Sequence, residues 1–423
     1  MTSVLIIDSG ARGQVLFHAY LKSTEVNNVI ISKKTDLSSI LETAKKHSPD
    51  LIDVAQDDAL DSGAVDLLQN QGFKVFGPSK NAARIESSKL FSRRFMQRHN
   101  ISCPDFEPFN SKQRAIDYIS YLYSQDPNKL VFIKADGLCK GKGVLKCTTL
   151  AEAKANIRKI KTFGDSGRIF LVENGLTGRE VEEFSYFAIS DGKTYKVFKS
   201  AQDNKTVFNF DQGPNTGGMG SNSPALVTSG LEKRIESEFI SPVIEGMEKE
   251  GNPFIGILYF GGILVDGNIF AIEYNARHGD PEIQVYLSGV GNYFHLVNAC
   301  LDERLDEVKV EDDSKTRVCV VGASRGYPDD YSQVKGKRIY GLEKAMKIPG
   351  VLVFRAGVNV EGERFYADEG RLFSIVAEGK NILEAKQKAY SAMSYISVGG
   401  NNLHYRTDIA WRDVERFLKQ QKQ

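Results

Sequence analysis

Three segments of the chain bring glycines, lysines and carboxylates together in spacings that suit phosphate chemistry. In the first, Gly213–Gly220, the sequence GPNTGGMG places four glycines in eight positions. Each glycine inside a helix or strand costs roughly 0.5–1 kcal/mol relative to alanine, so this composition predicts neither element. It is typical of backbone that lies close to a ligand or adopts a positive φ. A glycine-rich surface linker is the alternative, although Met219 and the polar pair Asn215–Thr216 are unusual in such linkers.

The second segment, Val131–Gly143, reads VFIKADGLCKGKG. A predicted strand directs Lys134 inward, and the loop after it contains Gly137, Gly141 and Gly143 together with further lysines. Glycine lets main-chain N–H groups approach phosphate oxygens, and lysine supplies a positive charge. The spacing does not match a Walker A loop. A glycine hairpin with solvated lysines is the alternative to a phosphate-binding loop.

The third segment, Ile272–Gln284, reads IEYNARHGDPEIQ. Glu273 and Asn275 lie two positions apart on a predicted strand, so their side chains share one face. A carboxylate and an amide oxygen suit Mg²⁺, which takes few protein ligands and shares phosphate oxygens. Arg277 can reach the same face and neutralise a phosphoryl group. A strand end with surface charges is the alternative, and we expect His278 to be a loop side chain rather than a metal ligand.

A weaker signal lies at the start of the chain, where Asp8–Gly13 (DSGARG) follows a short apolar run. The segment matches a dinucleotide-binding fingerprint only in part, because Asp8 stands at the first glycine position. A turn between a first strand and a helix is nevertheless a natural anion site.

Composition bounds the class of protein. The 423 residues predict two to four domains, and the net charge of +1 does not favour a nucleic-acid partner. The five cysteines contain no C-x-x-C pair, which predicts neither a zinc site nor disulfides and fits a reducing cytoplasm. The N-terminus has no signal-peptide pattern, and no apolar run reaches the roughly 18 residues of a membrane span.

The pattern of elements predicts an α/β protein. Short apolar runs alternate with helical patterns over the first hundred residues or so, which indicates a parallel sheet covered by helices. The predicted helices here are Gln14–Leu21 and Lys89–Arg98. The predicted strands along the chain are Val4–Ile7, Val29–Ile31, Leu51–Val54, Lys74–Phe76, Leu130–Lys134, Arg168–Glu173, Phe254–Tyr259, Gly262–Val265, Ile269–Tyr274 and Arg317–Val321, with a β-rich stretch over Glu182–Lys199.

These segments, in this order, resemble the phosphoribosylamine–glycine ligase family (glycinamide ribonucleotide synthetases) of the ATP-grasp superfamily. GPNTGGMG together with N-x-R-x-G-D-P-E, here Asn275–Glu282, is the most specific part of the likeness. The resemblance extends through nearly the whole chain. Its other segments are Phe76–Lys89, Lys134–Gly143, Gln202–Gly220, Val318–Tyr327, Val353–Gly357 and Tyr405–Arg412.

The resemblance implies a multi-domain ATP-grasp architecture. We expect an N-terminal doubly wound parallel-sheet domain at residues 1–107 and a small lid subdomain at 108–188. An α+β ATP-grasp core with the metal site is expected at 189–314, and a small C-terminal domain at 315–423.

The reaction that the resemblance implies joins glycine to 5-phosphoribosylamine through a glycyl phosphate, with ATP and Mg²⁺ or Mn²⁺, in purine biosynthesis. Glu273 and Asn275 match the family's metal ligands, and Arg277, Lys205 and Asp280 are the expected catalytic residues. The expected ATP-binding residues are Lys89, Lys134, Gly137, Gly141, Lys142, Gly143, Glu173 and Glu183. The expected substrate-binding residues are Arg12, Asn215, Thr216, Gly217, Gly218, Met219, Arg277 and Asp280. We expect small-molecule substrates only, no nucleic-acid or membrane partner, and a cytoplasmic monomer.

The chain departs from the family pattern on the amine-donor side. The family turn G-S-G-G-R-E-H is here Asp8–Gln14, which keeps only the arginine, Arg12, of its last three residues. The turn G-P-E-x-P-L is Ala55–Leu60, where Asp57 can supply the missing carboxylate, and Asn204 replaces the histidine of Q-D-H-K. Asp8 would repel a substrate phosphate unless it turns away. A related ligase with another amine acceptor and a non-catalytic nucleotide-binding protein therefore remain as alternatives.

Overall fold

The computed structural model describes residues 2–8, 10–139 and 142–422. The strands are β1 (Thr2–Ile7), β2 (Val26–Ser32), β3 (Leu51–Val54), β4 (Val75–Phe76), β5 (Phe106–Phe109), β6 (Val131–Ala135), β7 (Val144–Cys147), β8 (Phe170–Asn174), β9 (Val181–Asp191), β10 (Tyr195–Val197), β11 (Gln202–Asp203), β12 (Thr206–Phe208), β13 (Gln212–Asn215), β14 (Gly220–Ser223), β15 (Ile255–Val265), β16 (Asn268–Asn275), β17 (Thr316–Ser324), β18 (Arg338–Tyr340), β19 (Val351–Arg355), β20 (Val358–Glu361), β21 (Arg364–Ala367), β22 (Arg371–Gly379), β23 (Ser397–Val398) and β24 (Leu403–His404).

The helices complete the mixed α/β fold that the sequence predicts. They are α1 (Ala11–Tyr20), α2 (Leu37–His47), α3 (Asp57–Ser62), α4 (Ala64–Asn70), α5 (Lys80–Ser87), α6 (Lys89–Arg98), α7 (Lys112–Gln125), α8 (Leu150–Lys159), α9 (Glu232–Ile235), α10 (Ser241–Lys249), α11 (Glu282–Tyr286), α12 (Tyr293–Leu301), α13 (Leu342–Ala345), α14 (Ile382–Met393) and α15 (Trp411–Gln420). Among the described residues, no helix has the length and apolar character needed to cross a membrane.

The N-terminal sheet is parallel throughout, with the strand order β2-β1-β3-β4, which confirms the predicted parallel arrangement. Alternate residues of β1 serve two hydrophobic cores: Leu5 and Ile7 belong to one, and Val4 and Ile6 to the other. Both faces of the sheet are therefore covered, as expected for parallel strands. Helix α1 begins at Ala11, three residues before the predicted start.

The lid region forms a separate antiparallel sheet, ordered β5-β8-β6-β7, with its own hydrophobic core. Helices α7 and α8 contact each other and pack on this sheet. Lys134 lies on β6 of this sheet, shortly before the glycine loop. The predicted domain boundaries stay a prediction.

The core sheet, ordered β10-β9-β15-β16, corrects one prediction. Phe254–Tyr259 and Gly262–Val265 were expected as two strands, but β15 is continuous and shifts register between Gly261 and Gly262. A β-carbon on Gly262 would overlap the Phe184 ring of the neighbouring strand. The glycine pair therefore marks a bulge with close packing, rather than a break.

The glycine-rich segment also differs from expectation. Its first residues belong to β13, which pairs with β12, and its last residue begins β14, which pairs with β17 of the C-terminal sheet. Only residues 216–219 are irregular. Strand pairing overrides the cost of glycine here, because Gly213 lies in a strand paired with β12 and Gly220 pairs with Val320 of β17. The C-terminal sheet has the order β11-β14-β17-β22-β19, with β24 on β17, beside a second sheet ordered β20-β21-β18-β23.

Candidate active site

A cavity of about 450 Å³, here called the central cavity, is lined by residues of the N-terminal region, the lid sheet, the core sheet and the glycine-rich segment. Its volume lies within the range of about 300–1,000 Å³ that is usual for ligand sites. The structure brings most of the predicted site residues to its walls. These are Lys89, Lys134, Gly143, Glu173, Glu183, Lys205, Asn215, Thr216, Gly217, Glu273, Asn275, Arg277 and Asp280.

Other predicted site residues lie outside the cavity wall. Met219 was expected to bind substrate, but its side chain is fully buried in the hydrophobic core of the C-terminal sheet. Gly218 has φ 107° and packs against Pro281, and Gly137 packs against Ser166. At both positions the neighbouring residue leaves no room for a β-carbon. Lys142 is exposed, and Arg12 lies behind the wall. Gly141 lies outside the described residues.

Lys134, on β6, is held by a buried carboxylate. It forms an ion pair with Glu173 of β8, and Arg93 of α6 donates from Nε to the other Glu173 oxygen at 2.8 Å. Burial raises the pKa of Glu173, but Lys134 and Arg93 lower it by more than burial raises it, so the carboxylate is ionised. Both carboxylate oxygens therefore serve protein cations, and Glu173 orients Lys134 toward the cavity.

A second group of charges lies at the other side of the cavity. Lys205 Nζ donates to Glu183 Oε2 at 2.8 Å. Burial lowers the pKa of Lys205, yet Glu183, Tyr259 and Glu273 raise it well above its ordinary value. Burial likewise raises the pKa of Glu273, and Lys205, Lys89, Lys134 and Arg277 together lower it. Glu273 is therefore an ionised carboxylate surrounded by cations.

Arg277 is fixed by Glu86, a residue to which the sequence analysis gave no role. Its Nη2 lies 2.8 Å from Glu86 Oε1, and Glu86 Oε2 accepts from the Ala276 N–H at 2.8 Å. The carboxylate of Asp57 also lines the cavity, and Arg277 and Arg12 lower its pKa against the effect of burial. Among the described residues, Arg277 Nε is buried without a hydrogen-bond partner. Glu86 lies in Phe76–Lys89, one of the segments that resemble the family. Nothing else in the sequence indicated a role for this residue.

Two C-terminal residues hold the glycine-rich segment against Asp280, and sequence reasoning missed both. Arg371 donates to the Gly217 carbonyl at 2.6 Å and to Asp280 Oδ2 at 2.9 Å. The Gly217 N–H donates to Tyr327 Oη at 3.0 Å. Tyr327 ends the family-like segment Val318–Tyr327, whereas Arg371 lies outside the family-like segments. Nothing local in the sequence around either residue indicates a site.

A pair of carboxylates, Asp203 and Glu282, also lines the cavity. Asp203 Oδ1 is buried and has no hydrogen-bond partner among the described residues. Burial raises the pKa of Asp203 well above its ordinary value, and Glu282 raises it further. Lys205 and Arg371 lower this pKa only in part, so a proton or a cationic ligand would stabilise Asp203 next to a second carboxylate.

The N-terminal turn is not an open anion site. Asp8 Oδ1 accepts from the Gly10 N–H at 2.8 Å and the Gly13 N–H at 3.3 Å, and Asp8 pairs with Arg12. The carboxylate of Asp8 thus occupies the helix start where an anion was expected. Asp8 does turn away from the cavity, which was the condition for avoiding repulsion of a substrate phosphate.

His278 lies in a loop, as predicted, but its side chain is buried. It is 1 % exposed, and its ring lies between the hydroxyl groups of Tyr286 and Tyr293. It is no metal ligand in this arrangement, because both ring nitrogens are within hydrogen-bond reach of a tyrosine.

The donor set fits a divalent metal that arrives with phosphate. Glu273 and Asn275 both lie on β16 and line the cavity. Within the described ranges, no group of three or more His, Cys, Asp or Glu residues could hold a metal ion by itself. One carboxylate and one amide oxygen leave most of the coordination sphere to other ligands, which is the usual situation for Mg²⁺ at a nucleotide.

Comparison with known proteins agrees with this geometry. The N, ATP-grasp (A) and C domains of the phosphoribosylglycinamide synthetase family match residues 2–86, 87–283 and 317–412. A phosphoribosylamine–glycine ligase from Rhodopirellula baltica is 36 % identical over 418 residues, covering 93 % of this chain and 94 % of that protein.

Solved structures show the same relationship. The phosphoribosylamine–glycine ligase from Thermotoga maritima has a TM-score of 0.80 and 30 % identity, covering 96 % of this chain and 100 % of that one. A biotin carboxylase domain from Hydrogenobacter thermophilus, in complex with MgADP, has a TM-score of 0.67 at 13 % identity, covers 96 % of this chain and 91 % of that one, and shares the fold alone. The chain therefore belongs to the phosphoribosylamine–glycine ligase family and has the ATP-grasp fold.

Proposed function

We propose that the chain ligates glycine to 5-phosphoribosylamine, with ATP as the energy source, and produces glycinamide ribonucleotide, ADP and phosphate in purine biosynthesis. One observation in particular supports this proposal. The central cavity collects Lys89, Lys134, Lys205 and Arg277 around the ionised Glu273. Phosphoryl transfer needs this kind of site, because it depends on positioning and charge neutralisation more than on a covalent nucleophile.

In the first step, a carboxylate oxygen of glycine attacks the γ-phosphorus of ATP, and the bond from that phosphorus to the β–γ bridging oxygen breaks to release ADP. Lys89 and Lys134 bind the phosphates, and Arg277, whose Nε has no protein partner among the described residues, stabilises the transferring group. Glu273 and Asn275 hold Mg²⁺ or Mn²⁺, which neutralises phosphate charge when bound.

In the second step, the amine of phosphoribosylamine attacks the acyl carbon of glycyl phosphate, loses a proton, and displaces phosphate. Asp203 and Glu282 are placed to bind the ammonium group of glycine, because both line the cavity and Asp203 Oδ1 has no hydrogen-bond partner among the described residues. Asn215, Thr216 and Gly217 form the wall that confines the acyl phosphate. The site must exclude water, which would otherwise hydrolyse the intermediate.

The test is ADP release with ATP, metal and glycine, measured with and without freshly generated phosphoribosylamine. We expect release to depend on both co-substrates, and mass spectrometry to detect glycinamide ribonucleotide. Slow release that depends on glycine alone, without this product, would contradict the proposal.

That contrary result would instead support the second candidate function, a related ligase with another amine acceptor. The observation that favours this candidate is the occupation of the α1 start by Asp8. A phosphate of the amine donor has no free helix start to bind there.

We further propose that the enzyme acts as a cytoplasmic monomer on small molecules. The net charge of +1 supports the absence of a nucleic-acid partner. Light scattering of the purified chain tests the oligomeric state, and a dimer mass would contradict the proposal.

A further inference from the structure

A chain of buried hydrogen bonds runs behind the central cavity, and the reaction outlined above uses none of its side chains. Tyr20 Oη donates to Asp53 Oδ2 at 2.7 Å, and Tyr293 Oη donates to the same oxygen at 3.4 Å. His278 Nε2 lies 3.0 Å from Tyr293 Oη, and His278 Nδ1 is hydrogen-bonded to Tyr286 Oη. None of these five side chains belongs to a residue more than 2 % exposed.

The main chain of the same histidine holds two arginines. The His278 carbonyl accepts from Arg12 Nη1 at 3.1 Å and from Arg277 Nη1 at 3.0 Å. Arg12 belongs to α1 of the N-terminal region, whereas Arg277 lines the central cavity. One carbonyl group therefore fixes the position of one guanidinium relative to the other.

The ring of His278 has a single arrangement that satisfies its neighbours. Burial lowers its pKa, and Arg12 and Arg277 lower it further, so the imidazole is neutral, with one donor and one acceptor nitrogen. Above its pKa of about 7, Asp53 is ionised and only accepts, so Tyr293 donates to it and accepts from Nε2–H. Nδ1 then accepts from Tyr286. The adjoining void is about 10 Å³, the size of a single water, which leaves the ring no second position.

We propose that His278 is a positioning residue whose ring, held by Tyr286 and Tyr293, fixes Arg12 relative to Arg277 and thereby aligns the amine-donor end of the site with the phosphoryl end. This inference rests on the proposed function for the roles of the two arginines. Loss of either tyrosine hydroxyl removes one of the two hydrogen bonds that orient the ring, and so weakens the support of the main-chain carbonyl that both arginines share.

The kinetic test uses Tyr293→Phe and Tyr286→Phe, each of which removes one hydroxyl. We expect kcat to fall and the KM for phosphoribosylamine to rise, so that kcat/KM decreases by about fivefold, the usual worth of one hydrogen bond. The KM for ATP is expected to stay within about twofold of the wild type. Unchanged kcat and KM for phosphoribosylamine in both variants, or an equal rise in every KM, would overturn the proposal.

Tyr390→Phe is the matched control. Its hydroxyl donates to the Arg406 carbonyl at 2.8 Å and accepts from the Ile409 N–H at 3.1 Å, away from the cavity. It removes a hydroxyl with two hydrogen bonds, so we expect a similar loss of thermal stability without the kinetic change. A kinetic change of the same size in Tyr390→Phe would show that the effect is general destabilisation.

A second readout does not depend on product formation. Imidazole ¹⁵N NMR at about pH 8, with His278→Gln to assign the signal, is expected to show a neutral Nε2–H tautomer that becomes mixed in Tyr293→Phe. A ring that titrates near the ordinary histidine pKa, or a tautomer unaffected by Tyr293→Phe, would overturn the inference. If the wild type makes no glycinamide ribonucleotide, the proposed function fails, whereas this spectrum still decides the role of the ring.

Discussion

At the scale of single residues, three cations of the cavity form ion pairs with carboxylates. Lys134 pairs with Glu173, Lys205 with Glu183, and Arg277 with Glu86. The first and third pairs are largely buried, and an unpaired buried charge costs several kcal/mol, so Glu173 and Glu86 keep their cations ionised and oriented in the absence of nucleotide. Phosphate binding at Lys134 or Arg277 therefore adds an anion to an existing ion pair, and selectivity for phosphate arises from position as well as charge.

Glu273 gives a sharp test of the metal site. Glu273→Ala removes the ionised carboxylate that faces the phosphate-binding cations, so we expect metal-dependent turnover to fall by at least about tenfold. Steady-state ADP release against Mg²⁺ concentration measures this. Glu250→Ala, which breaks an ion pair with Arg98 away from the cavity, is the control. An unchanged kcat in Glu273→Ala would contradict the metal assignment.

Arg12 tests the amine-donor end. Arg12→Ala removes the guanidinium that joins Asp8 to the His278 carbonyl, so we expect the KM for phosphoribosylamine to rise more than the KM for ATP. The variant also leaves the buried Asp8 without its cation, and thermal unfolding should be recorded alongside the kinetics. Equal changes in both KM values would mean that this turn does not serve the amine donor.

Sequence motifs were a good guide to residues that act within one segment. Lys134, Glu273 and Arg277 all reach the cavity as predicted from their local patterns. Arg371, Tyr327 and Asp53 could not be predicted in this way, because their partners are distant in sequence. Arg371, for example, contacts Gly217, which lies 154 positions away. Such contacts depend on sheet pairing, which a local pattern does not specify.

At the scale of elements, the glycine-rich segment is held on several sides. The Thr216 N–H donates to the Lys205 carbonyl at 2.7 Å, and the Gly218 N–H donates to Thr216 Oγ1 at 2.9 Å. Arg371 and Tyr327 hold Gly217 from the C-terminal sheet. The composition correctly predicted positive φ, but it concealed two strands, and the approach of this backbone to a ligand stays a prediction. Propensity failed there because the partner strands supply the hydrogen bonds.

Gly218→Ala tests this packing. The backbone has φ 107°, and a β-carbon would overlap Pro281. We expect a loss of about 2–4 kcal/mol of stability or a displaced segment with strongly reduced activity. Gly230→Ala is the matched control, because Gly230 has φ 80° and nothing within 4 Å of an added β-carbon. Its thermal midpoint should fall by much less. Equal midpoints and activities in the two variants would contradict the packing argument.

At the scale of the whole molecule, the N-terminal sheet is buried on both faces, and this burial affects an ionisable group. Burial raises the pKa of Asp53 to about 7, opposed by hydrogen bonds from Tyr20 and Tyr293; Asp8 raises it and Arg12 lowers it. The folded state therefore binds this proton more tightly than the unfolded state. Stability consequently decreases as the pH rises from about 4 to about 7.

Asp53→Asn should remove this decrease in stability with rising pH. The variant is expected to gain stability relative to the wild type as the pH rises from about 5 to about 7.5, by up to about 1.4 kcal/mol per pH unit. Thermal midpoints across this range measure the difference. Asp50→Asn is the control: Ser3 holds the pKa of Asp50 below its usual value, so its titration lies below this window. Parallel curves for wild type and Asp53→Asn would contradict the raised pKa.

The pairing of β14 with β17 has a consequence for how the chain can be divided. β14 follows the cavity wall directly, and Met219 before it is buried among residues of the C-terminal sheet. A chain cut between the core sheet and Thr316 would leave β14 with an unpaired edge and Met219 in water. The C-terminal part is therefore not a detachable module. Its removal would also take away the support of the glycine-rich wall of the central cavity.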